Sequence, residues 1–373
     1  MKKTSNFFKI TLIYFVSLVL FVGVRILFGL GFLSGVESSL QDIFSSSIIQ
    51  IGIMFLFPFL LFTLFFKKKP KETFSSLGFK KISGKAVVIC FIIGLIAFFL
   101  NIAVSSFFNG IIGAFGYESG SGSGSTDYSI IAFILNVVTV SILPAFCEEF
   151  LHRGILMRGL FNSISVKHAL IISSLCFGLM HLNIVQVFYA SILGLLIGFV
   201  SIVAKSIWPA IIIHFVNNFV NVYLNFADAN GWLFGNFYDG LNSLISGNYI
   251  FALIIIIVIL CALIFALLRL ILELLKVTSF DSFKNVISKI KGSLNKEVVN
   301  YQTNSEVTET DYINDIEPIL VNNIVPPKNT SELFMPDNYP KEKVSFKSKI
   351  FLIATIFLGV IITISTFIWG VLW

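Results

Sequence analysis

Apolar runs long enough to cross a bilayer, about 17–25 residues each, alternate along this chain with short polar stretches. They fall near 8–33, 47–66, 85–107, 130–158, 185–204, 207–226, 248–274 and 350–370, with a ninth, shorter run at 168–182. The pattern predicts an all-α, polytopic transmembrane helical bundle with about eight core spans plus one additional C-terminal span. Two segments interrupt it. Residues 117–128 form a Gly/Ser coil, expected to be a flexible loop. Residues 276–349 form a polar cytoplasmic insert. Its first part sets Phe280, Phe283, Ile287, Ile290 and Leu294 on one helical stripe beside Lys284, Lys291 and Lys296, as in a helix lying on an anionic leaflet or packed on the span ends. Residues 298–345 read as a mostly disordered tether. The expected divisions are thus a transmembrane region at 1–275, the insert at 276–349 and an extra span at 350–373, a module open to a protein partner through 276–373.

Composition agrees with membrane residence. Of the 373 residues 56% are hydrophobic and 12% charged, and mean hydropathy is +0.92, whereas soluble domains carry about 25% charged residues. The formal charge of +6 would invite a nucleic-acid partner, but the cations gather at span ends. The expected contact is membrane lipid, with no nucleic acid. Lys2, Lys3, Lys9, Lys67 to Lys69, Lys71, Lys80, Lys81, Lys85, Arg158, Lys167, Lys205, Arg269 and Lys276 fall in segments that alternation puts on one side. The intervening loops carry Glu37, Asp42, Glu118, Asp127, Asp228 and Asp239 without lysine or arginine. The positive-inside rule then predicts a multi-pass plasma-membrane protein with a cytoplasmic N-terminus. The first run, too long for a signal peptide and containing Arg25, is expected to be retained. Cys90, Cys147, Cys176 and Cys261 show no metal-like spacing and read as packing residues.

Ionisable groups inside spans cost roughly 2.5–3.5 kcal/mol each on insertion scales, so they mark function by default. Three constellations stand out: Glu148-Glu149-Phe150-Leu151-His152-Arg153, Phe177-Gly178-Leu179-Met180-His181 and His214-Phe215-Val216-Asn217-Asn218. Counted inward from Arg158, Lys167 and Lys205 at about 1.5 Å per residue, Glu148, His181 and His214 lie roughly 15, 21 and 14 Å deep, a similar level. Glu149 and Arg153, four apart, can pair on one helix face. Glu148 points about 100° away and is left as a desolvated carboxylate suited to general-base work. His214, Asn218, Asn221 and Asn225 make a polar stripe that must face a cavity or another helix. Pro144 can free backbone carbonyls four residues before Glu148. His152 and His168, near the cytoplasmic ends of their spans, read as solvated.

A double glutamate with arginine four beyond the second, then Phe-x-x-x-His, then His-x-x-x-Asn resembles the three motifs of the CAAX-protease and bacteriocin-processing (Abi, CPBP) family of intramembrane endopeptidases. The resemblance covers roughly 130–226, and implies a protease-like core at about 85–275. It implies hydrolysis of a peptide bond in a membrane-associated peptide or protein. Glu148 would activate water with help from His181, His214 and Asn218 would support the site and stabilise the oxyanion, and Glu149 with Arg153 would be the structural pair. The alternative is a non-catalytic scaffold or bacteriocin-immunity protein on the same fold. Metal dependence is disputed in the family. Glu148, His181 and His214 could hold a divalent metal such as zinc, or work without one as acid, base and oxyanion donors. Nothing marks a prenylated substrate. The Phe-, Ile-, Lys- and Asn-rich composition suggests an AT-rich bacterium, for which a peptide pheromone, a bacteriocin-like peptide or a membrane-protein terminus is the expected substrate.

Overall fold

The computed structural model describes residues 5–32, 35–36, 38–117, 127–247, 249–301 and 344–372. No strand occurs among them. The helices are α1 (Asn6–Gly29), α2 (38–66), α3 (Pro70–Ser76), α4 (Gly84–Ala114), α5 (Ile130–Leu160), α6 (Val166–Leu179), α7 (Ile184–Val203), α8 (Trp208–Asn230), α9 (Phe237–Gly247), α10 (Tyr249–Tyr301) and α11 (Phe346–Leu372). Eight of these contain stretches long and apolar enough to cross a membrane, and α6 is the shorter apolar helix. The chain is therefore an all-α, multi-pass membrane protein.

Side-chain caps start α1, α4, α5, α6 and α7. Ser5, Ser83, Ser129 and Ser165 each accept from a backbone N–H three residues on, and Asn183 accepts from Val185 and Gln186. A cap of this kind is worth about 1 kcal/mol. Gly231 closes α8 in the left-handed region with φ +65°.

Two apolar clusters hold the bundle. One joins α1, α2, α5 and α6 through Tyr14, Ile53, Phe150, Leu156 and Met180, and the other joins α4, α7, α8 and α10 through Ile93, Ile197, Ile213 and Leu274. Small residues let the helices approach closely, the packing device of membrane interiors. A Cβ at Gly94 of α4 would come within 2.7 Å of Val216 on α8. One at Gly178 of α6 would meet the Val187 carbonyl of α7 at 2.5 Å, and Gly198 of α7 lies equally tight against Leu170.

The C-terminal span sits beside the core. Helix α11 runs parallel to α1, with Ser5 Oγ 3.3 Å from Ser348 Oγ and the Phe8 and Phe351 rings 5.1 Å apart. It also crosses α6, where a Cβ on Gly359 would lie 2.9 Å from Leu179. The span at 248–274 and the helix expected after it form one continuous helix, α10, about 80 Å long at 1.5 Å per residue. The apolar stripe from Phe280 to Leu294 lies on it, but its side chains fall outside the described residues, as do residues 302–343 of the expected tether and 118–126 of the Gly/Ser coil.

Candidate active site

Both glutamates lie on α5 where its winding changes twice. Leu143–Glu149 is α-helical and stands between π-helical stretches at Val137–Ile142 and Phe150–Met157, and α2 has a third such stretch at Ile48–Leu56. Wider turns of this kind gather at functional sites because they re-aim side chains and loosen backbone pairing. Pro144 lacks the N–H that the Val140 carbonyl would otherwise receive in an α-helix. Asn218 of α8 supplies a donor instead, with its Nδ2 3.0 Å from that oxygen. Its Oδ1 accepts from Asn217, which in turn accepts from Asn101 of α4.

Glu149 and Arg153 form the expected pair, Nη1 to Oε1 3.0 Å, with both side chains at 0% exposure. The same Oε1 accepts from His214 Nδ1 at 2.9 Å. Arg153 also donates from Nη2 to the Gly194 carbonyl at 2.9 Å, and its guanidinium lies 4.5 Å from the Phe177 ring centre. The arginine and an imidazole N–H thus share one buried carboxylate oxygen, while the Phe177 face covers the guanidinium, the arrangement that keeps an intramembrane ion pair tolerable.

Glu148 faces the other way. Its side chain lines a cavity of about 740 Å³ together with His181, His152 and Phe177, a volume within the range of ligand pockets. Gln50 of α2, itself 7% exposed, donates from Nε2 to Glu148 Oε1 at 2.8 Å. Its Oε1 has no hydrogen-bond partner. His181 lies in the tight turn between α6 and α7, where Leu182 takes φ +53°. Its Nδ1 is 2.9 Å from the Phe177 carbonyl. A carbonyl only accepts, so Nδ1 carries a proton, and it is Nε2 that is left to exchange one.

Phe177 holds the histidines together. Its ring stands edge-on to His152 at 5.0 Å, His181 at 5.1 Å and His214 at 5.6 Å. Each of the three constellations contributes a histidine to this packing. The grouping within them differs from the expectation. His214 turns to Glu149 and not to Glu148, and Asn218, itself not in the cavity lining, binds the backbone carbonyl of the lining residue Val140. Among the described residues no group of three or more His, Cys, Asp or Glu is spaced to hold a metal ion. Glu148, His181 and His214 are therefore not assembled as a three-ligand set.

His152 corrects another expectation. It is 1% exposed, not solvated, with Nδ1 2.7 Å from the Glu148 carbonyl and Nε2 2.8 Å from the Tyr14 hydroxyl. With the Nδ1 proton directed at the carbonyl, Nε2 accepts from Tyr14 O–H. The reason is Arg158, used as the depth anchor: it is half-buried and binds the Ser201 carbonyl and hydroxyl of α7, so it does not mark the water boundary. His168 is exposed as expected, paired with Ser165. Asn221 and Asn225, at the far end of the polar stripe, are also exposed. Gln50 and Tyr14 were missed. A lone glutamine in the apolar run Ile48–Leu56 was the available signal for the first; a tyrosine among aromatics gave none for the second.

The fold and site define a polytopic helical membrane protein with a buried ion pair and a carboxylate in an imidazole-lined cavity. Residues 130–220 match the family model described as type II CAAX prenyl endopeptidase Rce1-like. The resemblance read from the three motifs holds over that segment, which spans α5 to most of α8 and carries Glu148, Glu149, Arg153, His181, His214 and Asn218. Neither the curated proteins nor the solved structures contain a match.

Proposed function

We propose that the protein is an intramembrane endopeptidase that hydrolyses a peptide bond in a membrane-associated peptide or protein of the plasma membrane, with its N-terminus in the cytoplasm. The observation that carries this reading is a single one: a carboxylate, Glu148, held by Gln50 in a cavity it shares with the imidazole of His181. Buried carboxylates without a cationic partner are costly, and a water-accessible cavity gives this one a use.

In the proposed reaction Glu148 takes a proton from water as the oxygen attacks the carbonyl carbon. The C–N bond then breaks, the proton passes to the leaving nitrogen, and a carboxylate and an amine result. His181, through its Nε2, assists in moving the proton. The unpartnered Oε1 of Gln50 is available to accept from the attacking water or from a substrate N–H. His214 acts through Glu149 as a positioning residue, and Asn218 fixes the prolyl break that aims Glu148.

The test is cleavage of an apolar membrane peptide by the purified, reconstituted protein. His181→Ala is expected to lower turnover by roughly 100- to 10,000-fold, the usual contribution of an acid–base group. Gln50→Leu removes one hydrogen bond to a charged group, worth about 1.5–3 kcal/mol, so kcat should fall by about 10- to 100-fold with KM less affected. Wild-type protein that cleaves nothing, or turnover indifferent to both changes, would contradict the reading.

A further inference from the structure

Among the described residues, the cavity runs from Glu148 toward the end of the bundle where Arg25, Leu40, Asp127 and Ile131 are exposed. Its floor is Glu148, His152 and Phe177, and its mouth is lined by Arg25, Leu40, Asp127 and Ile131. These mouth residues come from the last turns of α1, the first turn of α2 and the start of α5. That is the end opposite Lys9, whose Nζ lies 3.1 Å from the Phe65 carbonyl at the far end of α2. No lysine lines the cavity.

Below the site a block of phenylalanines closes the lysine-bearing end. The ring of Phe150, 0% exposed and next to Glu149, lies 4.8 Å from that of Phe55 and 6.2 Å from those of Phe74 and Phe79. Phe79 in turn stacks edge-on to Phe74 at 5.0 Å and to Trp208 at 5.8 Å. Beside this block Arg158 ties α5 to Ser201, filling the space under Gly78. Dense aromatic packing of this kind disfavours water entry from that end.

Charge identifies which end faces out. Lys9, Lys67 to Lys69, Lys80, Lys81, Lys167 and Lys205 all lie at helix ends on the phenylalanine-packed side, whereas the mouth side carries Asp127, Asp228 and Asp239. Cytoplasmic loops hold the lysine and arginine excess. We infer that the cavity takes its substrate from the exterior face of the membrane: an exported peptide, or an outward-facing apolar segment of a membrane protein, descends past Arg25 and Ile131 to Glu148. The phenylalanine block disfavours entry of a cytoplasmic peptide. The substrate half of this inference rests on the hydrolytic reading; the direction of access does not.

The test is thiol labelling of the full chain in intact cells by a membrane-impermeant maleimide, in a Cys261→Ala background. Leu135→Cys, on the cavity wall, is expected to react in intact cells to the same extent as after permeabilisation, and Lys68→Cys, just beyond α2, to react only after permeabilisation. Ser46→Cys, also on the wall, gives a second reading should Leu135→Cys fail to accumulate. Cavity cysteines protected until permeabilisation, or Lys68→Cys reactive in intact cells, would overturn the inference. Because labelling needs no catalysis, an outward-labelled protein that cleaves nothing in detergent would remove the hydrolytic reading alone.

Discussion

Glu148→Gln is expected to lower peptide cleavage by roughly 100- to 10,000-fold, the range for loss of a general base, with thermal unfolding nearly unchanged. Glutamine keeps the volume and an acceptor oxygen, so the donor from Gln50 Nε2, 2.8 Å away, still finds a partner. The change also removes a charge that is only 9% exposed and has no cation of its own, which relieves desolvation. Turnover and melting therefore separate: chemistry is lost while the fold stands. Full activity in this variant would remove Glu148 from the mechanism.

Arg153→Ala should do the reverse to stability. It strands Glu149 at 0% exposure, breaks the Gly194 carbonyl contact and empties the face of Phe177. Removing one partner of a buried ion pair costs about 3–5 kcal/mol. Neutralising both members, as in Glu149→Leu with Arg153→Met, should recover much of that loss, because no charge remains buried. Thermal melts of the single and double variants in one detergent decide the matter. An Arg153→Ala protein as stable as wild type would mean that Glu149 is satisfied by His214 alone.

Much of this was legible in the sequence for definite reasons. Span lengths follow from bilayer thickness, and Ser5, Ser83, Ser129 and Ser165 are ordinary caps where the apolar runs begin. The Glu149–Arg153 pair follows from helical periodicity alone. What escaped depends on contacts between spans. The partner of His214 is chosen by the crossing of α8 over α5, and nothing in either segment favours Glu149 over Glu148. The burial of His152 needs α1 to lie across α5 and bring Tyr14 to it. The role of Gln50 needs α2 to cross Glu148. Both helices lie outside the stretch that matches the family, so motif reading could not reach them.

The most direct test of the central claim is isotopic. The purified protein is incubated with an apolar membrane peptide in water enriched in oxygen-18, and the products are weighed by mass spectrometry. If Glu148 delivers water to the scissile carbonyl, a single turnover places one heavy oxygen in the new C-terminal carboxylate, and Glu148→Gln yields no such product. An intact peptide after incubation with active-folded wild-type protein, or labelled product formed equally by Glu148→Gln, would contradict the account.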